Sequence, residues 1–315
     1  MAASNVRPLA IFTGYMVLAA GLTAKSIGII RNQWRASLSR NGTVAAPAHR
    51  RALVVFSALA ALSLATTWYH MFRFFEWSYG QWVTTQALAS LDSTELRLGE
   101  WLHDTSLFKQ AWASTLETGP RAWWSLQIFG FCANWSAILA AQAQRRCISH
   151  AWIFVLLGQV VAISFAANLS FLAILCSEIP ERKPNDGKRY GQTVSSFSIH
   201  SVILFATLLW ATSIPSAINH PKFLSLLLGP HLLAFVPLLL DRILPARMLG
   251  EPAWHWKVAS MIWVLVVATL GVFDSGASLR TALITLYEHP AVSSVGWDVI
   301  CCWISFTVWS IIGSS

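Results

Sequence analysis

The chain has 315 residues, is 55% hydrophobic and only 11% charged, and carries 17 Trp and 17 Phe. Soluble domains are about 25% charged, so long apolar runs with this charge deficit belong in a bilayer and not in water. The net charge of +8 sits in short clusters between those runs, the pattern of membrane-topology signals, and no basic patch is extensive enough for a nucleic-acid surface.

The predicted fold is all-α: a polytopic membrane bundle of about eight spans, each near the ~20 residues a helix needs to cross the hydrocarbon core. The spans fall at about 9–30, 52–75, 122–142, 151–176, 199–217, 222–240, 256–274 and 296–313, with ends uncertain by about 2–4 residues. The whole chain reads as one membrane domain, without an internal repeat or a cleavable leader. Lys25 lies inside the first span, and Asn219-His220-Pro221 is a tight link between the fifth and sixth. An even number of spans puts both termini on one side. The loop 31–51 carries Arg31, Arg35, Arg40, Arg50 and Arg51 and no acid, which points that loop to the cytosol and the termini to the lumen or exterior. The loop 177–198, expected on the opposite side, also carries Arg182, Lys183, Lys188 and Arg189. Asn41-Gly-Thr43 is a glycosylation sequon in the first loop; a glycan there reverses the orientation.

The second span ends in a wall of rings, residues 66–82. Eight aromatic side chains fall within residues 68–82, from Trp68 and Tyr69 to Trp77, Tyr79 and Trp82. They cover every face of a helix, more than an interfacial belt requires. Among them stand His70, Arg73 and Glu76. Tyr69, Arg73 and Glu76 share a helix face at i, i+4 and i+7. A carboxyl group in an apolar, aromatic setting keeps its proton more readily than one in water. It can then donate that proton, and ring faces can stabilise the cation that follows. The competing reading of Glu76 and Arg73 is a structural ion pair at the membrane surface. Next comes the longest stretch without a span, 83–121, whose Leu91, Leu96, Leu98, Trp101 and Leu102 suggest a helix lying on the bundle as a lid or a plain connector.

Polar groups in or at the ends of spans are site candidates by default. Eight crossings sort them into two sets. On the side of the termini stand His70, Arg73, Glu76, Glu178, His200, Asp241 and His255. On the other stand Asp274, Arg280, Glu288, His289 and Asp298. His231 lies in mid-span between Pro230 and Pro237, where it can bond a freed carbonyl or a substrate. Asp298 also reads as a first-turn residue of the last helix, placed by the helix dipole. Asn134, Gln159 and Asn168 are polar groups well inside the third and fourth spans, and the two Asn read as interhelical hydrogen bonders. The five Cys show no zinc or CxxC spacing. Aspartate-rich diphosphate motifs, histidine boxes, P-loops and GxGxxG are all absent from the sequence, so neither a metal nor a cofactor is expected.

Two stretches carry a resemblance: Trp68-Tyr-His-Met-Phe-Arg-Phe-Phe-Glu76-Trp and His289-Pro-Ala-Val-Ser-Ser-Val-Gly-Trp-Asp298-Val-Ile. With the length and span plan, they resemble the fungal membrane-bound terpene cyclases of meroterpenoid pathways, the group of the ascochlorin, ascofuranone and macrophorin cyclases. The resemblance implies a metal-free, isomerase- or lyase-type cyclase of the endoplasmic reticulum membrane in secondary metabolism. Its substrate would be a lipophilic farnesylated aromatic or polyketide-derived compound passed between pathway enzymes. Cyclisation would start by protonation of a terminal alkene or epoxide. No catalytic residue transfers from that group. The residues themselves point to Glu76 as proton donor and Asp241 as second acid, with His70 and Arg73 tuning the acid. Trp68, Tyr69 and Trp77 then line the cation's path, His231 orients a polar group, and Asp274 and Asp298 form a reserve site. On this reading Glu76→Gln abolishes cyclisation without lowering protein level. The rival classes are a small-solute transporter or receptor-like protein, against which stands the lack of paired broken helices, and a non-catalytic chaperone or scaffold.

Overall fold

The computed structural model describes residues 6–41, 47–87, 97–177, 199–244 and 252–312, and their regular structure is helical throughout. Helix α1 spans Val6–Asn41, α2 Pro47–Ala87, α3 Leu98–Asp104, α4 Leu107–Leu116 and α5 Gly119–Arg145. Then come α6 Trp152–Val160, α7 Ile163–Leu175, α8 Ile199–Ser213, α9 Phe223–Leu233 and α10 Val236–Ile243. Helices α11 Trp254–Asp274, α12 Leu279–Ile284 and α13 Pro290–Ile312 complete the described chain. Among the described residues four helices are long and apolar enough to cross a membrane: α11, α13 and the stretches Val6–Ser39 and His49–Gln86. Ile163–Leu175, Ile199–Ser213 and Phe223–Leu233 are apolar but shorter.

Helix α2 shows how the bundle is built. Its buried positions are Ala52, Phe56, Ala60, Ser63, Thr67, Phe74 and Ser78, steps of three, four and seven that make one stripe. That stripe packs along α13 and α7. Phe56 meets Phe171 and Trp309 at ring distances of 5.4 and 5.9 Å, and Trp77 meets His289 at 4.3 Å. The start of α13 therefore lies beside the finish of α2, at what we call the upper end. The end of α13 lies beside the start of α2, at the lower end. Phe12 packs on Phe75, so α1 also starts at the upper end. The first helix starts and the last one finishes at opposite ends, not on the same side as an even number of crossings requires.

The difference originates at 151–176. This segment is not one straight span. Arg146, which precedes α6, donates from Nη1 to the carbonyls of Ile174 (3.3 Å) and Ser177 (2.8 Å), at the finish of α7. Helices α6 and α7 thus form a hairpin that enters from the lower end and returns to it, turning at Val160–Ala162. No Pro or Gly marks that turn. Its backbone is satisfied by side chains from far along the chain. The Tyr15 hydroxyl donates to the Val160 carbonyl (2.8 Å), and the amides of Ile163 and Ser164 donate to Asp298. A break inside an apolar bundle persists only when its freed groups find such partners.

A second interruption follows. Pro230 lacks an N–H, so the Leu226 carbonyl one turn earlier has no helical donor. The indole of Trp210 takes that carbonyl at 2.9 Å, and α9 gives way to α10 three residues after His231. Residues 83–121, expected as a lid or connector, comprise the last turn of α2 and then α3 and α4, with 88–96 outside the described residues. Trp101 is buried and donates to Ser78 (3.2 Å), and Ser78 donates to Gln110 (2.6 Å). The two short helices therefore close the upper end.

Candidate functional site

A partly open cavity of about 130 Å³ lies where the two interrupted segments meet. Its walls come from α4 (Trp112), α5 (Phe129, Cys132), α6 (Gln159), α8 (Thr207), α9 (Pro230, His231) and α13 (Asp298). Asp298 is buried, and both its oxygens are engaged: Ile163 N donates to Oδ2 at 2.9 Å and Ser164 N to Oδ1 at 2.7 Å. The carboxyl group thus caps the N-terminus of α7, where amide donors and helix dipole favour an anion while burial in the apolar bundle opposes the charge and favours the neutral acid. It stands two turns inside its own helix. Placement by the dipole in the first turn of α13 does not describe it, because α13 begins at Pro290.

His231 faces the same cavity. Its Nδ1 is paired with Gln159 Oε1, and Gln159 Nε2 donates to Cys132 Sγ at 3.2 Å. The amide oxygen can only accept, so the imidazole proton sits on Nδ1. His231 Nε2 is buried and has no partner among the described residues. Trp112 and Phe129 stand edge-on to the imidazole at 5.4 and 5.6 Å and stack on each other at 5.5 Å. The freed carbonyl that His231 was expected to bond is already taken by Trp210, which leaves the imidazole to the cavity.

The other expected site residues are placed differently. Tyr69, Arg73 and Glu76 do share a face of α2, but the face points outward. Arg73 Nη1 donates to Glu76 Oε2 at 2.7 Å with the two side chains 57% and 68% exposed, so the ion-pair reading describes their geometry. Tyr69 is 61% exposed and packs on His70 at 5.0 Å. Trp68 is half-buried against Phe72 and Trp77 lies against His289, and none of the three rings lines the cavity. Asp274 is exposed at the end of α11. The backbone of Asp241 lies in α10, but its side chain, like that of Asn41 and the whole of Glu178, falls outside the described residues.

The doubling back of 151–176 also separates the set expected beside Glu76. His200 opens α8 and His255 opens α11, and both helices start at the lower end, where Phe205 meets Trp256 at 5.8 Å. Glu76 is at the upper end, with Asp274 and Glu288. Asn134 and Asn168 are interhelical hydrogen bonders, donating to Ser260 (2.9 Å) and Ser63 (3.3 Å). Trp112, Phe129 and Thr207 carry no sequence signal for the cavity. Gln159 did have one, as an amide inside an apolar run. Among the described residues no group of three or more His, Cys, Asp and Glu side chains is placed to hold a metal ion. No protein-family model, curated protein or solved structure matches the chain.

Proposed function

We propose that the protein is a multi-pass membrane cyclase that folds a farnesyl-type chain by acid initiation, and that the cavity of Asp298 and His231 is its active site. The observation that carries this reading is the meeting, inside an apolar bundle, of one carboxyl group, one imidazole and two edge-on rings. Asp298 supplies the proton to a terminal alkene or epoxide, and Trp112 and Phe129 stabilise the positive charge without capturing it. The cavity is close in size to the 150 Å³ engineered cavity that holds benzene. It therefore has room for the reacting isoprenoid end of a chain. The proposed substrate is a lipophilic prenylated aromatic or polyketide compound, and the proposed site of action is the endoplasmic reticulum membrane.

In the bilayer, α1, α2, α5, α8, α9 with α10, α11 and α13 make seven crossings, and α6–α7 is re-entrant. The experiment is expression in a host supplied with a farnesylated phenol or its terminal epoxide, followed by product analysis. Asp298→Asn is expected to accumulate and to abolish cyclisation, with a lower Tm because an amide cannot accept both backbone donors. Glu76→Gln is expected to retain product, since an exposed pair contributes about 0–1 kcal/mol. Wild-type turnover by folded Asp298→Asn would defeat the assignment.

A second reading, a small-solute transporter, gains from the two interrupted segments that meet at the cavity, the arrangement expected of transporter sites. Against it, the amide donors opening α7 are already filled by Asp298. Solute uptake into proteoliposomes without any conversion of the prenylated probes is the outcome that favours it.

A further inference from the structure

From the unpartnered nitrogen of His231 we infer that this residue is the base that ends the cyclisation, paired across the cavity with Asp298 as the acid that starts it. The inference rests on the cyclase reading and concerns the same cavity. Gln159 Oε1 accepts from His231 Nδ1–H and so fixes the proton there, while the amide Nε2 donates to Cys132 Sγ. The Nε2 lone pair is left in a buried, apolar place with no donor to meet it. An unmet acceptor of this kind costs about 1–3 kcal/mol, and it is the atom a proton-releasing carbocation would use. Trp112 and Phe129 stand close to perpendicular to the imidazole, at 5.4 and 5.6 Å, and supply apolar rings beside it.

The step balances without any co-reactant. Asp298 gives its proton to the alkene or to the epoxide oxygen, and π electrons become ring C–C bonds as the cation moves. At the last cation a neighbouring C–H bond breaks. Its electron pair becomes the new C=C bond, and the proton goes to His231 Nε2. The imidazolium, its positive charge supported by Gln159 Oε1, returns a proton to the Asp298 carboxylate through the cavity both groups line. One proton enters and one leaves, as an isomerisation requires.

The test compares wild type, His231→Phe and Gln159→Leu in microsomes given a farnesylated phenol and its terminal epoxide. His231→Phe keeps a ring and removes the base. It is expected to go on consuming substrate while the native alkene isomer falls roughly tenfold or more as a share of product. Other alkene isomers and water-trapped alcohols take its place. Gln159→Leu is expected to shift products in the same direction, and it carries the test if His231→Phe fails to accumulate. A residue that only packs the core would lower all products together. An unchanged product pattern in a folded variant overturns the base and leaves the cyclase reading standing. Wild-type protein that leaves both probes unconverted overturns both.

Discussion

His289 is the residue whose charge most directly links the fold to pH. It is buried at the upper end, 4.3 Å from the Trp77 ring, and its Nδ1 accepts from Ala291 N at 3.2 Å. Burial first, and then the Arg121 guanidinium, push its pKa from 6.5 down to about 4, with Glu288 opposing. The folded protein therefore holds the neutral ring where the unfolded chain would take up a proton. Stability from this group is fully present above about pH 6.5, falls as pH drops and levels off below about 4. The expected loss is about 1–3 kcal/mol. Unfolding in detergent from pH 7 to pH 4.5, compared with His289→Gln, should show a weaker pH dependence in the variant. Equal slopes would remove His289 as the cause.

At the level of elements, α9 contains the clearest test of packing. Gly229 lies against Trp210, and a Cβ there would overlap the indole ring. The same indole satisfies the Leu226 carbonyl that Pro230 leaves without a donor. In an ordinary helix Gly→Ala stabilises by about 1 kcal/mol. Here Gly229→Ala is expected to destabilise by about 1–3 kcal/mol, by overpacking and by displacing that hydrogen bond. A Tm in detergent that rises for Gly229→Ala would contradict the Trp210 contact. The α6–α7 hairpin follows the same physics: its turn persists because Tyr15 and Asp298, from α1 and α13, meet its backbone groups.

For the whole molecule, the hairpin sets which helix ends lie together. With 151–176 crossing, basic loops fall on both sides. With it re-entrant, Ser177 and Ile199 both lie at the lower end. The described lower end carries Arg31, Arg35, Arg50, Arg51, Arg145, Arg146 and Lys257. The upper end mixes Arg7, Arg73, Arg97, Lys109, Arg121, Lys222 and Arg280 with Glu76, Glu100, Asp104, Glu117, Asp274 and Glu288. We propose that the lower end faces the cytosol, because the sequence joining α1 and α2 carries Arg31, Arg35, Arg50 and Arg51 and no acid. In sealed microsomes a membrane-impermeant maleimide is expected to label Ser196→Cys in a Cys147→Ser background, and Asn41 is expected to carry no glycan. Protection of Ser196→Cys with Asn41 unglycosylated would restore the crossing, and a glycan on Asn41 would reverse the orientation.

Composition and periodicity alone determined the all-helical class and the apolar segments, because helices hide their backbone polarity locally and 3.6-residue periodicity is written in adjacent residues. Proline chemistry likewise marked the broken α9 around His231, and Gln159, Asn134 and Asn168 stood out as polar groups in apolar runs. The 66–82 stretch looked most like a site for the same reason: it concentrates rings, cation and acid in one short window. Which way that window faces is a property of its neighbours. Only tertiary structure turned Glu76 outward, placed Asp298 on the amides of a helix more than a hundred residues earlier, and folded 151–176 back on itself. The turn at Val160–Ala162 has no local breaker, since the groups that stabilise it come from the two ends of the chain. One such turn inverts the side of every later segment. That is why the acid next to His231 proved to be Asp298 and not the one in the aromatic wall.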